Sequence, residues 1–548
     1  MTKPTVILKV DTFERSPGSK VATVTFAFPD NKSGKFFSSP FSESDRSEIH
    51  EILVQNNIIA FASIFHLSCI FREFGIPSDQ ITVIGDPFVL SCTAQHPKHS
   101  LFDLVKDFDV MSSAKVSSLE KSVFIESVPS DLEDPEYKKH NVRMCSLVGR
   151  LEEKLVKAFP STLSSYALDL QAIPVAAMLG AHPVRVSRAD LVKKASNAVE
   201  WVTSSGESIS EMIGTSFNPR STKAVKEAFA RRGIPNPPMR TPKGDVSFSR
   251  ESILMLDSED DLVTNLHAYY AASDESKDLA AALDRLSDEK IFPAPMVSGF
   301  DGSAQISDAG KGFSYSGKDT TRLFVPDEGK RVVRVSWTAP ELSVLAFWGR
   351  ERRLQQACQG GDPFSFIGQY MNVSISSHSV DTIITSMLNG STGLTAMRED
   401  GILVSEARRL ISQFWKTFTD CDAVRNRLIT EAHRTGVTKS ILGRIRRVKE
   451  IHSAATASKA ERKVLQYVIG GSASELQRML LVRLRDLLLK SSKSRLCWVS
   501  PGVILLQVPE DVSEAQITNL RSFVTKNSCF SVGGSTEQLS FHSTVELV

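Results

Sequence analysis

The stretch VRVSWTAPELSVLAFWG, residues 333–349, constrains the fold more than any other segment. Val333 and Val335 alternate with polar residues as a short buried strand, Ser336-Trp337-Thr338 turns the chain, and Pro340 opens a helix at a position where its missing N–H is not needed. A strand that runs straight into a helix presents its junction residue at the end of a sheet. Here that residue is Ser336, with no carboxylate, His or Cys beside it. It is either an active-site junction without its chemistry or an ordinary core turn.

At 548 residues the chain is long enough for two to four domains. Hydrophobic content of 41% and charged content of 23% are those of a globular protein. A net charge of +2 gives no global pull toward nucleic acid, so any such site must be a local patch. The seven cysteines are scattered and form no CxxC pair, which argues for reduced thiols in an intracellular setting and against a disulfide framework or a zinc site. No run of 18 apolar residues is present, and MTKPTVILKVDTF enters a strand at once, so neither a membrane span nor a leader is expected.

Residues 1–145 alternate short β runs (VILKVD, ATVTFAF, IIAFAS) with helical stretches and read as one mixed sheet. Residues 146–290 are helical by spacing, interrupted by RRGIPNPPMRTPKGD, whose prolines forbid a long helix. Residues 291–548 carry strands at both ends and helices between. The Gly/Ser-rich loop 299–319 holds Gly310-Lys311 but lacks the flanking residues of a phosphate-binding loop.

Residues 434–490 hold thirteen Lys/Arg against four acids, an asymmetry that suits a phosphate-contacting surface or a solvated helical face. Order and spacing say more. S-W-T-A-P-E-L-S-V-L-A-F (336–347), A-E-R-K-V-L-Q-Y-V-I-G-G-S-A-S-E (460–475) and P-G-V-I-L-L-Q-V-P-E-D (501–511) resemble, in sequence order, the palm and fingers motifs of family A DNA polymerases. FNPRSTKAVKEAFARRGIP (217–235) resembles the thumb of that family. Val10-Asp11-Thr12 and the segments around 53–76 and 86–104 resemble its attached exonuclease. The resemblance implies a ribonuclease H-like 3′–5′ exonuclease-type domain (1–145), a helical thumb-like region (146–290) and a palm and fingers region (291–548, fingers about 350–450).

That family works through two metal ions held by two palm aspartates. By the resemblance these positions are Ser336 and Gly502, with Pro501 and Val503 flanking the second. The fingers Arg, Lys and Tyr that hold the incoming nucleotide fall on Val380, Ile384 and Thr392. In the exonuclease pattern Asp11 is kept, its partner acid is Phe13, the second-motif acid is Leu67 and the third is Asn141. One carboxylate of four is too few for a two-metal site. Arg444, Arg446, Arg447, Arg462, Lys463, Gln466 and Ser472 match positions that face the template–primer. The expectation is a catalytically inactive polymerase-like protein, without metal or other cofactor, that binds DNA or RNA or bridges proteins in a replication or nucleoprotein assembly. The alternatives are a purely structural subunit, and an active polymerase that uses Mg²⁺ through non-standard ligands.

Overall fold

The computed structural model describes residues 3–14, 18–29, 33–237, 239–241, 244–254, 256, 258, 260–297, 307–308, 323–390, 402, 404–452, 457–489, 493–532 and 538–548. The loop 299–319 therefore lies almost wholly outside the described residues, with Gly310-Lys311 among those left out.

The chain opens with a five-stranded mixed sheet in the order β3-β2-β1-β4-β5, built from β1 (Thr5–Thr12), β2 (Val21–Phe28), β3 (Ser33–Ser38), β4 (Asn57–Ile59) and β5 (Thr82–Gly85). β1 pairs antiparallel with β2 and parallel with β4. Helix α1 (Glu43–Gln55), which begins in a Ser42/Asp45 capping box, leads into β4, and α2 (Ser63–Phe74) crosses from β4 to β5. Alternation along β1 sends Leu8 and Val10 into the main core of this unit, while Ile7 meets Cys145 and Val148 of the helix Pro135–Ala158 on the other face. Gly149 allows that approach, since a Cβ there would lie 2.5 Å from Ile7 Cδ1.

The border expected at 145/146 cuts the helix Pro135–Ala158. Leu147, Leu151 and Leu155 of that helix, with Tyr166, Ala172 and Ile173 of the helix Leu163–Ala181, share a core with the sheet. The first packed unit thus extends to about residue 181. Spacing marks helical character from 146, but periodicity does not say which neighbour an apolar face meets.

Two long helices follow, Arg188–Ile213 and Asp261–Arg285, packed against each other. One end is filled by Ile209, Phe229, Leu262 and Tyr270, and the other by Leu191, Leu279 and Trp498. The last part of the chain is organised on a four-stranded antiparallel sheet of Arg495–Ser500, Val503–Pro509, Lys330–Trp337 and Ser543–Leu547, in that order. The helix Pro340–Gly349 starts at the expected proline and buries Leu342, Val344, Leu345 and Ala346. Among the described residues no helix is long and apolar enough to cross a membrane.

Candidate functional site

The strand–turn–helix and the hairpin 495–509 meet edge to edge. Ser336 pairs across the sheet with Val503 on one side and Thr544 on the other. The turn Ser500-Pro501-Gly502-Val503 has proline first and glycine second, with Gly502 at φ +69°, the residues that a type II turn takes. Trp337 N donates to Gly502 O at 2.8 Å, so Ser336 and Gly502 are brought to the same end of adjacent strands.

Their surroundings are closed. Ser336 Oγ shares a hydrogen bond with Thr544 Oγ1 at 2.8 Å. Gln477, from the helix Gly471–Leu488, clamps the turn: Nε2 donates to Ser500 O at 2.8 Å and Val503 O at 3.3 Å, and Oε1 accepts from Gly502 N at 3.3 Å. Gln477 is 6% exposed, and its amide is used by the backbone of the turn. A Cβ on Gly502 would stand 3.2 Å from Pro340 Cγ, so a side chain there has little room. These neutral groups do not fit a pair of divalent cations, whose charge needs carboxylates. Among the described residues no group of three or more His, Cys, Asp or Glu side chains could hold a metal ion. Gln477 was not singled out from sequence. Its signal is a polar residue on the buried face of an amphipathic helix, which spacing alone reads as core.

Val380 and Ile384, on the helix Ser377–Leu388, are fully buried in the palm and fingers core. Thr392 lies outside the described residues.

The expected nucleic-acid contacts divide in two. Arg444 is internal: it donates to Asp169 at 2.6 and 3.0 Å and to Glu475 at 2.7 Å. Arg446 is buried with its guanidinium 4.0 Å from the Tyr467 ring centroid. Ser472 is wholly buried, accepts from Ile441 N at 2.8 Å and donates to Val468 O. Each of the three finds its hydrogen-bond or stacking partner inside the chain. Arg447 and Gln466 are exposed, and Arg462 and Lys463 partly so. Arg447 lines a cleft of about 230 Å³ with Gln95, His96, Phe159 and Glu450, on the seam between the first unit and the palm. Gln95 stitches that seam, donating to Ile445 O and accepting from Arg447 N, each at 2.8 Å.

In the first unit, β1 and the helix Pro135–Ala158 bring Asp11 and Asn141 together. Asn141 Nδ2 and Tyr137 Oη each donate to Asp11 Oδ2 at 3.0 Å. Lys9 Nζ pairs with Asp11 and donates to Asn141 Oδ1 at 2.8 Å. Burial raises the Asp11 carboxyl, but the Lys9 charge and the hydrogen bonds from Lys9 and Tyr137 outweigh it and hold the group below its ordinary value. Phe13 is 53% exposed and Leu67 is core, so neither adds a ligand. Lys9, a cation between the apolar Leu8 and Val10 of β1, is the residue sequence reasoning passed over.

The palm sheet, the helical fingers packed on it and the long helix pair make a right-hand polymerase-type fold. Residues 313–532 match the family model for DNA polymerase family A. Curated relatives include DNA polymerase I of Chloroflexus aurantiacus, 24% identical over 219 residues (38% of this chain, 23% of the relative). The thermostable DNA polymerase I of Thermus aquaticus is 23% identical over 209 residues (36% of this chain, 25% of the relative). The matches thus span about a quarter of those relatives' length. The POL domain of Pol1 from M. smegmatis, solved in complex with DNA primer-template and dNTP, superposes with a TM-score of 0.68 at 16% identity, covering 100% of this chain and 95% of that one.

Proposed function

We propose that this chain is a catalytically inactive family A polymerase-like protein that binds nucleic acid within a replication or nucleoprotein assembly, and that its first unit is a degenerate ribonuclease H-like exonuclease domain. The observation that carries this reading is the closed palm: Ser336 is tied to Thr544, and Gln477 spans the Gly502 turn where metal-binding acids would stand. The strand order of the first sheet, 3-2-1-4-5 with one antiparallel and one parallel half, and the lone Asp11 support the exonuclease part. Arg447, Arg462, Lys463 and Gln466 are the proposed nucleic-acid contacts, with Arg434 and Lys439 exposed nearby in sequence. No metal cofactor is required in this role, and protein partners are part of the proposal.

One observation favours a second reading, a purely structural subunit: Arg444, Arg446 and Ser472 are consumed by internal contacts. Gel shifts on primer–template DNA and on RNA across a salt series separate the two, and primer extension with Mg²⁺ and Mn²⁺ tests inactivity. Binding that weakens steeply with salt, without extension, is the expected result. Templated extension overturns the reading, and absence of binding at low salt leaves the structural role.

A further inference from the structure

We propose that the Lys9 ammonium is a built-in cation that takes the place of a bound divalent metal at the end of the first sheet. The inference deepens the reading of this unit as one that has lost its metal chemistry, and rests on it.

Lys9 and Asp11 lie two apart on β1, so they share the face covered by the helix Pro135–Ala158. Asp11 Oδ2 accepts from Tyr137 Oη at 3.0 Å, Asn141 Nδ2 at 3.0 Å and Thr23 Oγ1 at 3.2 Å. Asp11 Oδ1 pairs with Lys9 Nζ, which also reaches Asn141 Oδ1 at 2.8 Å. A carboxylate, an amide oxygen and two hydroxyls are hard oxygen donors of the kind that Mg²⁺ or Mn²⁺ takes. Between the carboxylate and the amide oxygen stands a positive charge that cannot dissociate, because it is covalently part of β1. A divalent ion would have to displace that ammonium and then sit beside it with one carboxylate to offset both charges. The rings nearby lie within reach of that charge: burial first and the Lys9 ammonium second push His66 down to about 4 and lower His140 as well, with Asp11 opposing. A lysine here does for folding what a metal does elsewhere, neutralising Asp11 and fixing Asn141, but it supplies no Lewis acidity and no bound water.

The test compares the full-length chain, Lys9→Met, Lys9→Met/Asp11→Asn and Asp11→Asn by thermal unfolding in EDTA and in millimolar Mn²⁺, with bound Mn²⁺ counted by electron paramagnetic resonance. The wild type is expected to melt at one temperature in both conditions. Lys9→Met should melt several degrees lower in EDTA and recover toward wild type in Mn²⁺, with one more bound ion, because a ligand of the native state alone stabilises it. The double variant, which carries neither charge, should recover without metal and ignore Mn²⁺. Three results overturn the proposal: Lys9→Met as stable as wild type in EDTA, Lys9→Met destabilised but unmoved by Mn²⁺, or Mn²⁺ stabilisation of the wild type that Asp11→Asn abolishes. Should Lys9→Met not fold, the double variant decides, and its failure to fold also overturns it. A metal-dependent 3′–5′ nuclease activity of the wild type is a separate outcome and sinks the broader reading of the unit.

Discussion

Asp169→Asn removes one negative charge from a site that holds four charged side chains and no water-facing side. Asp169 is fully buried on the helix Leu163–Ala181. Its Oδ1 receives Arg444 Nη2 at 2.6 Å and Arg478 Nη1, and its Oδ2 receives Arg444 Nη1 at 3.0 Å and Thr93 Oγ1 at 2.6 Å. Glu475 completes the balance, accepting from Arg444 Nε at 2.7 Å and from Ser440 Oγ at 2.5 Å. Two guanidinium groups meet two carboxylates, so the network is neutral, and burial already presses Arg478 down to about 9. Taking away one partner leaves an uncompensated buried cation, which costs about 3–5 kcal/mol. Asp169→Asn/Arg478→Met restores neutrality and fills the space with an apolar chain, so it should recover more than half of that loss. Urea unfolding read by far-UV circular dichroism and by tryptophan fluorescence measures this. All five tryptophans lie beyond residue 181, so fluorescence reports the later part of the chain alone. The network bridges the first unit to the palm, so the two signals should coincide in the wild type and separate in Asp169→Asn. The loss should also persist at 1 M salt, because buried charges are poorly screened. A cost below about 1 kcal/mol, or a double variant that is worse than the single, refutes the reasoning.

Three further outcomes are expected. Glu152 is buried with Oε2 unpartnered among the described residues and Oε1 accepting from Tyr166 Oη at 2.8 Å; burial pushes its carboxyl up to about 8, the Tyr166 hydrogen bond opposing and Asp86 adding to the rise. A raised folded value means the native state holds the proton, so its stabilising effect is complete below about pH 4.3 and lost as pH rises through 8. Glu152→Gln should therefore flatten the fall of the urea midpoint between pH 5 and 8, a slope of up to about 1.4 kcal/mol per pH unit, and an unchanged profile contradicts this. Ser336→Asp/Gly502→Asp should not restore primer extension and should cost stability. Asp at φ +69° pays about 1–2 kcal/mol and meets Pro340 at 3.2 Å, so robust extension by this variant would show the palm to be open. In gel shifts, Arg447→Ala should lower the slope of log K against log salt by about 0.9, whereas Arg444→Ala should lower the melting temperature and leave the slope alone; the reverse pattern would exchange their roles.

What sequence revealed and what it hid follow one physical divide. The strand–turn–helix at 333–349 and the Pro-Gly hairpin at 501–502 were legible, because proline and glycine restrict the backbone locally and alternation marks a buried strand. That both junction residues lack a carboxylate was equally plain. The partners of the arginines were not. Arg444 and Arg447 are three residues apart in a basic run and look alike, yet one is inside and the other outside. The acid that claims Arg444, Asp169, lies 275 residues away on a helix whose spacing reads as apolar. Charge in a run is a local property, while burial depends on which distant element arrives opposite. The same holds for Lys9, whose meaning comes from a helix that begins at Pro135, and for Gln477, whose amide is explained only by the turn it spans. Lys9 and Gln477 fill the space beside Asn141 and Gly502, the two positions among these where the family pattern expects an acid, and that is why single reversions there are expected to cost stability before they return any chemistry.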